Sequence, residues 1–111
     1  MYKLLKHEEK EYPIRISNVV LGEWQEETGK SEIKNMTFKD MFVLLKFGLK
    51  AGFRFAKKLD AKFADAEFEL DDIDIELMID NPQTVERFLT LIPTFFNQKK
   101  TGKKAGDPGK S

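Results

Sequence analysis

The 111-residue chain has no cysteine and a single histidine, His7. Without thiols there is neither a disulfide-stapled domain nor a thiolate metal centre, and a reducing cytoplasm fits. Without a second histidine, neither a Cys–His nucleophile pair nor a His-rich zinc site can be assembled. His7 lies among Lys6, Glu8 and Glu9 and reads as a solvated surface residue. Long hydrophobic runs are also missing, and no stretch approaches the ~20 apolar residues that span a bilayer. The charged segment from Met1 to Glu11 lacks the apolar centre of a secretory signal. Glycine loops that cradle phosphate are missing too. Gly48-x-x-x-Gly52 is not followed by Gly-Lys-Ser/Thr, and Gly102-Lys103-Lys104 has no such context. The expectation is a protein that is not an enzyme and holds no metal or cofactor.

Charge is balanced but unevenly spread. Residues 1–97 carry 14 Lys and Arg against 18 Asp and Glu, whereas residues 98–111 carry five Lys against Asp107 alone. An acidic body ending in a basic, sparsely apolar tail is expected to be one domain over 1–97 and a disordered tail over 98–111. The acidic run Asp71, Asp72, Asp74, Glu76 and Asp80 lacks the glycine and final glutamate of a calcium loop. Alternating with Ile73, Leu77 and Ile79, it reads as a solvated helix face, and Ile73 and Leu77 form the apolar face with Met78 adjacent. The basic tail, together with Arg54, Lys57 and Lys58 beside Phe53 and Phe55, offers nucleic-acid binding as a further alternative, but the net negative charge of the body argues against that partner.

The pattern predicts an α+β chain, mostly α: a small N-terminal β-hairpin, then about four helices. Tyr2–Leu5 and Tyr12–Ile16 read as the strands, separated by the charged stretch His7 to Glu11. Ser17 or Asn18 can cap the first helix, and Gly29 suits its left-handed end. Thr37 caps the second and strongest helix, with Asp40 in its first turn. Phe38, Met41, Phe42, Leu45 and Leu49 form one stripe of it. Val43, Leu44 and Phe47 add another, so burial on more than one side is expected. Gly48 and Gly52, four apart, suggest close approach of another helix. The segment from Lys58 to Glu67 is ambiguous and reads as a loop. Asp71 caps a third helix over Asp72–Ile79. Asn81 and Pro82 begin a fourth, carrying Val85, Phe88, Leu89 and Ile92 on one stripe until Pro93 kinks or ends it.

Ten phenylalanines in so short a chain are more than a small core readily buries. Exposed rings mark protein interfaces. Phe47, Phe53, Phe55, Phe95 and Phe96 are therefore the candidate surface for a partner or for self-association.

Three runs resemble one family in order. YPIRISNVVLGEWQEETGKS is similar to the opening of tail assembly chaperones of long-tailed phages and prophages. FKDMFVLLKFGLKAGFRFAKK resembles their central helix, with Gly48, Leu49, Ala51 and Gly52 matching its glycine pattern. ELDDIDIELMIDNPQTVERFLTLIP is similar to their paired C-terminal helices. The likeness spans about residues 11–96. The aromatic stretch Phe53–Phe55 and the end Pro93–Phe96 depart from the family pattern.

The resemblance implies a chaperone that binds the tape measure protein before the tail tube polymerises, as a homo-oligomer with no cofactor. It would act in the host bacterial cytoplasm and be absent from the mature virion. It also implies a longer, frameshifted form of the same protein; Lys99-Lys100 and Lys103-Lys104 could be encoded by slippery codons. The alternative reading is a small self-associating assembly or adaptor protein using the same aromatic surface.

Overall fold

Local chain signals set most of the element boundaries. The computed structural model describes residues 1–101, with side chains through Phe96. It contains a two-stranded antiparallel hairpin, β1 (Lys3–His7) and β2 (Lys10–Ile14), followed by four α-helices. The helices are α1 (Asn18–Thr28), α2 (Phe38–Leu59), α3 (Asp72–Ile79) and α4 (Pro82–Thr101). The α+β, mostly helical class is as the pattern predicts. No helix among the described residues is long and apolar enough to cross a membrane.

The hairpin is tighter than the charge pattern suggests. His7 pairs with Lys10, so the turn is only Glu8-Glu9, and Glu8 takes a left-handed φ of 57°. Two-residue turns with positive φ match the twist of the flanking strands, which lets charged residues join the ladder. Pro13 lies opposite Leu4. In a two-stranded sheet every strand is an edge, so its missing N–H need not break a ladder bond.

Helix starts follow their caps. Ser17 Oγ accepts the Val20 N–H at 3.2 Å, and Gly29 closes α1 at φ 75° while donating to the Gln25 carbonyl. Thr37 and Asp40 form a reciprocal capping box on α2, and Asp71 and Asp74 form another on α3. Asn81 Oδ1 accepts the N–H groups of Gln83 and Thr84, with Pro82 at the first position of α4. The ambiguous region resolves into the last residues of α2, a 3₁₀ turn at Ala61–Phe63, and irregular chain.

Two apolar faces differ from the periodic reading. In α3 the buried residues are Ile75, Met78 and Ile79, while Ile73 and Leu77 are 68% and 57% exposed. An eight-residue helix with apolar residues all round has no preferred face of its own, and α2 selects one. In α4 the buried line is Thr84, Phe88 and Ile92, and Leu89 turns outward. That helix continues through Pro93. Pro93 and Leu89, whose carbonyl it leaves without a donor, both lie on the exposed side, where water can reach that oxygen. Of the expected disordered tail, 98–111, residues 98–101 instead continue α4, and residues 102–111 lie outside the described residues.

The core sits around α2, which packs on β2, α1 and α3, as its broad apolar circumference requires. Leu5, Ile14, Ile16, Trp24, Leu44, Leu45 and Leu49 form one buried cluster with Ile75, Met78, Phe88 and Ile92. β1 runs antiparallel along α4. Lys3 Nζ lies 5.8 Å from the Phe95 ring, Arg87 Nη1 donates to the Lys6 carbonyl, and His7 meets Thr84.

Candidate protein-interaction surface

Gly48 and Gly52 permit close packing, but the element that approaches is strand β2, not a helix. A Cβ on Gly48 would lie 2.9 Å from Ile16 Cδ1 and 3.1 Å from Ile14 Cγ1. A Cβ on Gly52 would overlap the Pro13 carbonyl and the Ile14 backbone. The Arg15 N–H donates to the Gly48 carbonyl at 3.0 Å, which fixes helix and strand in register. A sequence shows that a close approach is possible but not which element makes it.

Asp40 ties the start of α2 to α1. Its carboxylate accepts from the Thr37 N–H and from Lys30 Nζ, and its carbonyl accepts the buried Trp24 Nε1–H at 3.0 Å. The Lys30 ammonium above all, and then the Thr37 N–H, hold the carboxyl below the ordinary aspartate range. Asp60 is likewise lowered, first by the Tyr2 hydroxyl that donates to it at 2.7 Å. These groups lock helix ends to their neighbours. Among the described residues, no three His, Asp or Glu side chains gather as a metal-holding group.

His7 is not the solvated residue its charged neighbours suggest. Its side chain is 13% exposed, and Nδ1 lies 2.7 Å from the hydroxyl of the buried Thr84. The partner is 77 residues away, so no local signal foretells it.

The five candidate phenylalanines are all half-buried and lie in different places. Phe55, Phe95 and Phe96 converge on Arg15. The Arg15 guanidinium lies 3.9 Å from the centre of the Phe55 ring, and Arg15 shares a small cleft with Phe95 and Phe96. Phe53 packs edge-on against Phe68 at 5.5 Å, and Phe47 packs against the core. Of the ten phenylalanines only Phe88 is buried; eight are half-buried and Phe38 is exposed. The expected shortage of interior is therefore real, but the most exposed ring is one the helical stripe assigned to the core.

Phe38, 66% exposed, stands at one side of an open groove of about 720 Å³ between the start of α2, the end of α3 and the first turns of α4. Ile79, Pro82, Val85 and Leu89 complete its apolar walls, and Asp80, Glu86 and Thr90 supply its polar edge. Phe38 and Leu89 are positioned by strong local signals, the Thr37 cap and the Asn81-Pro82 start. Both fall within helical apolar stripes, so the sequence pattern assigns them to the core. The hint available was the surplus of apolar positions on α2 and α4 over what one face can bury. Such a groove can hold large side chains of a helical partner.

No protein-family model, curated protein or solved structure matches this chain.

Proposed function

We propose that this protein is a non-enzymatic chaperone of phage tail assembly, which binds the tape measure protein and keeps it soluble before the tail tube polymerises. The observation that carries this reading is the open apolar groove bounded by Phe38 and Leu89. It is joined by the ordered likeness of residues 11–96 to tail assembly chaperones. A long amphipathic protein without its tube exposes apolar faces that aggregate, and a groove of this kind masks them. Contacts of modest strength, repeated by many copies along the partner, would hold it firmly yet let go when the tube displaces them. The same reading places the chaperone in the host bacterial cytoplasm and outside the mature virion.

Co-expression with the tape measure protein of the same genome, followed by affinity capture, tests the proposal. The expected result is co-purification and a larger soluble fraction of the tape measure protein. A partner that stays insoluble and uncaptured would reject the chaperone role for this chain.

A further inference from the structure

We propose that the groove between α2, α3 and α4 takes an amphipathic helix whose apolar stripe is flanked by lysine or arginine. The inference deepens the chaperone reading, on which it rests for the partner's identity.

The walls call for apolar side chains. Phe38, Ile79, Val85 and Leu89 are apolar, and Phe38 and Leu89 stand exposed, so covering them with apolar groups of a partner removes that surface from water. The charged groups call for cations. Asp80 and Glu86 are the only charged residues lining the groove, and neither forms an ion pair among the described residues. The cleft beside Ile73 is a useful contrast. It is lined by Lys46 and Lys50 as well as Asp71 and Asp72, and Lys46 Nζ pairs with Asp72 at 3.0 Å. That cleft neutralises its own charge, whereas the groove leaves two carboxylates for an incoming ligand.

Two occupants nearer to hand fit less well. Residues 102–111 supply three lysines but no apolar side chain larger than alanine or proline, so they cannot fill the walls. A second copy docking groove to groove would set Asp80 and Glu86 against the same carboxylates, and like charges facing each other oppose docking.

The test uses two synthetic 20-residue helices with one leucine stripe, flanked by Lys in one and by Glu in the other. Fluorescence anisotropy with the full-length protein reads their affinities. The Lys-flanked helix is expected to bind about tenfold tighter at low salt, with the gap narrowing in high salt. Asp80→Lys with Glu86→Lys should reverse the preference, and Leu89→Ser should weaken both helices. Circular dichroism and thermal melting identify any variant that has lost the fold, and neutral Asp80→Asn with Glu86→Gln then serves in its place, abolishing the preference. Equal binding of the two helices, or a preference indifferent to Asp80 and Glu86, overturns the inference. So does a concentration-dependent dimer that Leu89→Ser dissolves while neither helix binds. Tape measure protein still captured in full by the Leu89→Ser variant would sink the groove but leave the chaperone reading standing. Binding of the Lys-flanked helix without capture of that protein would do the reverse.

Discussion

Gly52 of α2 and Ile14 of β2 meet backbone to backbone, with no room between them for a methyl group. This contact seats the hairpin on the central helix, and the Arg15 N–H bond to the Gly48 carbonyl lies one helical turn away. The neighbouring glycine differs in kind, because Gly48 faces side-chain atoms of Ile14 and Ile16, which can give way more easily than backbone.

Gly52→Ala should therefore destabilise the protein by about 3 kcal/mol, since strand and helix must separate to admit the new atom. Gly48→Ala should change stability by less than about 1 kcal/mol, because the gain in helix propensity offsets the crowding of two isoleucines. Urea denaturation of the two variants decides the matter; equal losses would mean that the strand does not approach α2 as described.

The exposure of α4 residues yields a second expectation. Phe88→Ala should cost about 4 kcal/mol as a core truncation, whereas Leu89→Ala should cost about 0.5 kcal/mol or less. Similar melting temperatures for the two would place the helix in a different rotation.

Acid should weaken the attachment of α1 to α2. The Asp40 carboxyl sits below its ordinary range when folded, so between the folded and unfolded values the unfolded chain binds more protons. Stability from this group is present above about pH 4 and is lost as pH falls through the folded value. In Asp40→Asn the decline in stability below about pH 4 should be shallower, as read by Trp24 fluorescence during urea titrations. An unchanged slope would remove Asp40 from the acid response.

Thr84→Val keeps the buried volume but leaves His7 Nδ1 without its hydroxyl partner. A loss of about 1 kcal/mol is expected at neutral pH. Thermal denaturation at the wild-type temperature would show that the bond contributes nothing to joining β1 and α4.

What the sequence discloses here depends on how local the cause is. Thr37, Asp71, Asn81-Pro82 and Gly29 act within four residues of themselves, so the helix ends follow from reading along the chain. The broad apolar surface of α2 likewise announces a central helix. Facing is a tertiary choice. Nothing in Asp72–Ile79 says that Ile75 rather than Ile73 turns inward, and nothing in α4 separates Phe88 from Leu89. The glycine pair discloses closeness without naming β2. His7 and Thr84 become partners only when β1 lies along α4. The groove shares this origin, since its walls come from three helices and its apolar residues look, one by one, like core.

The most direct measurement of the central claim follows aggregation of the tape measure protein by light scattering after dilution from denaturant. This protein is added over a range of molar ratios with no nucleotide present. Suppression that saturates at a fixed ratio, and that Phe38→Ser with Leu89→Ser abolishes while the fold is retained, is the predicted result. Undiminished scattering at a large excess of correctly folded wild-type protein would contradict the chaperone role.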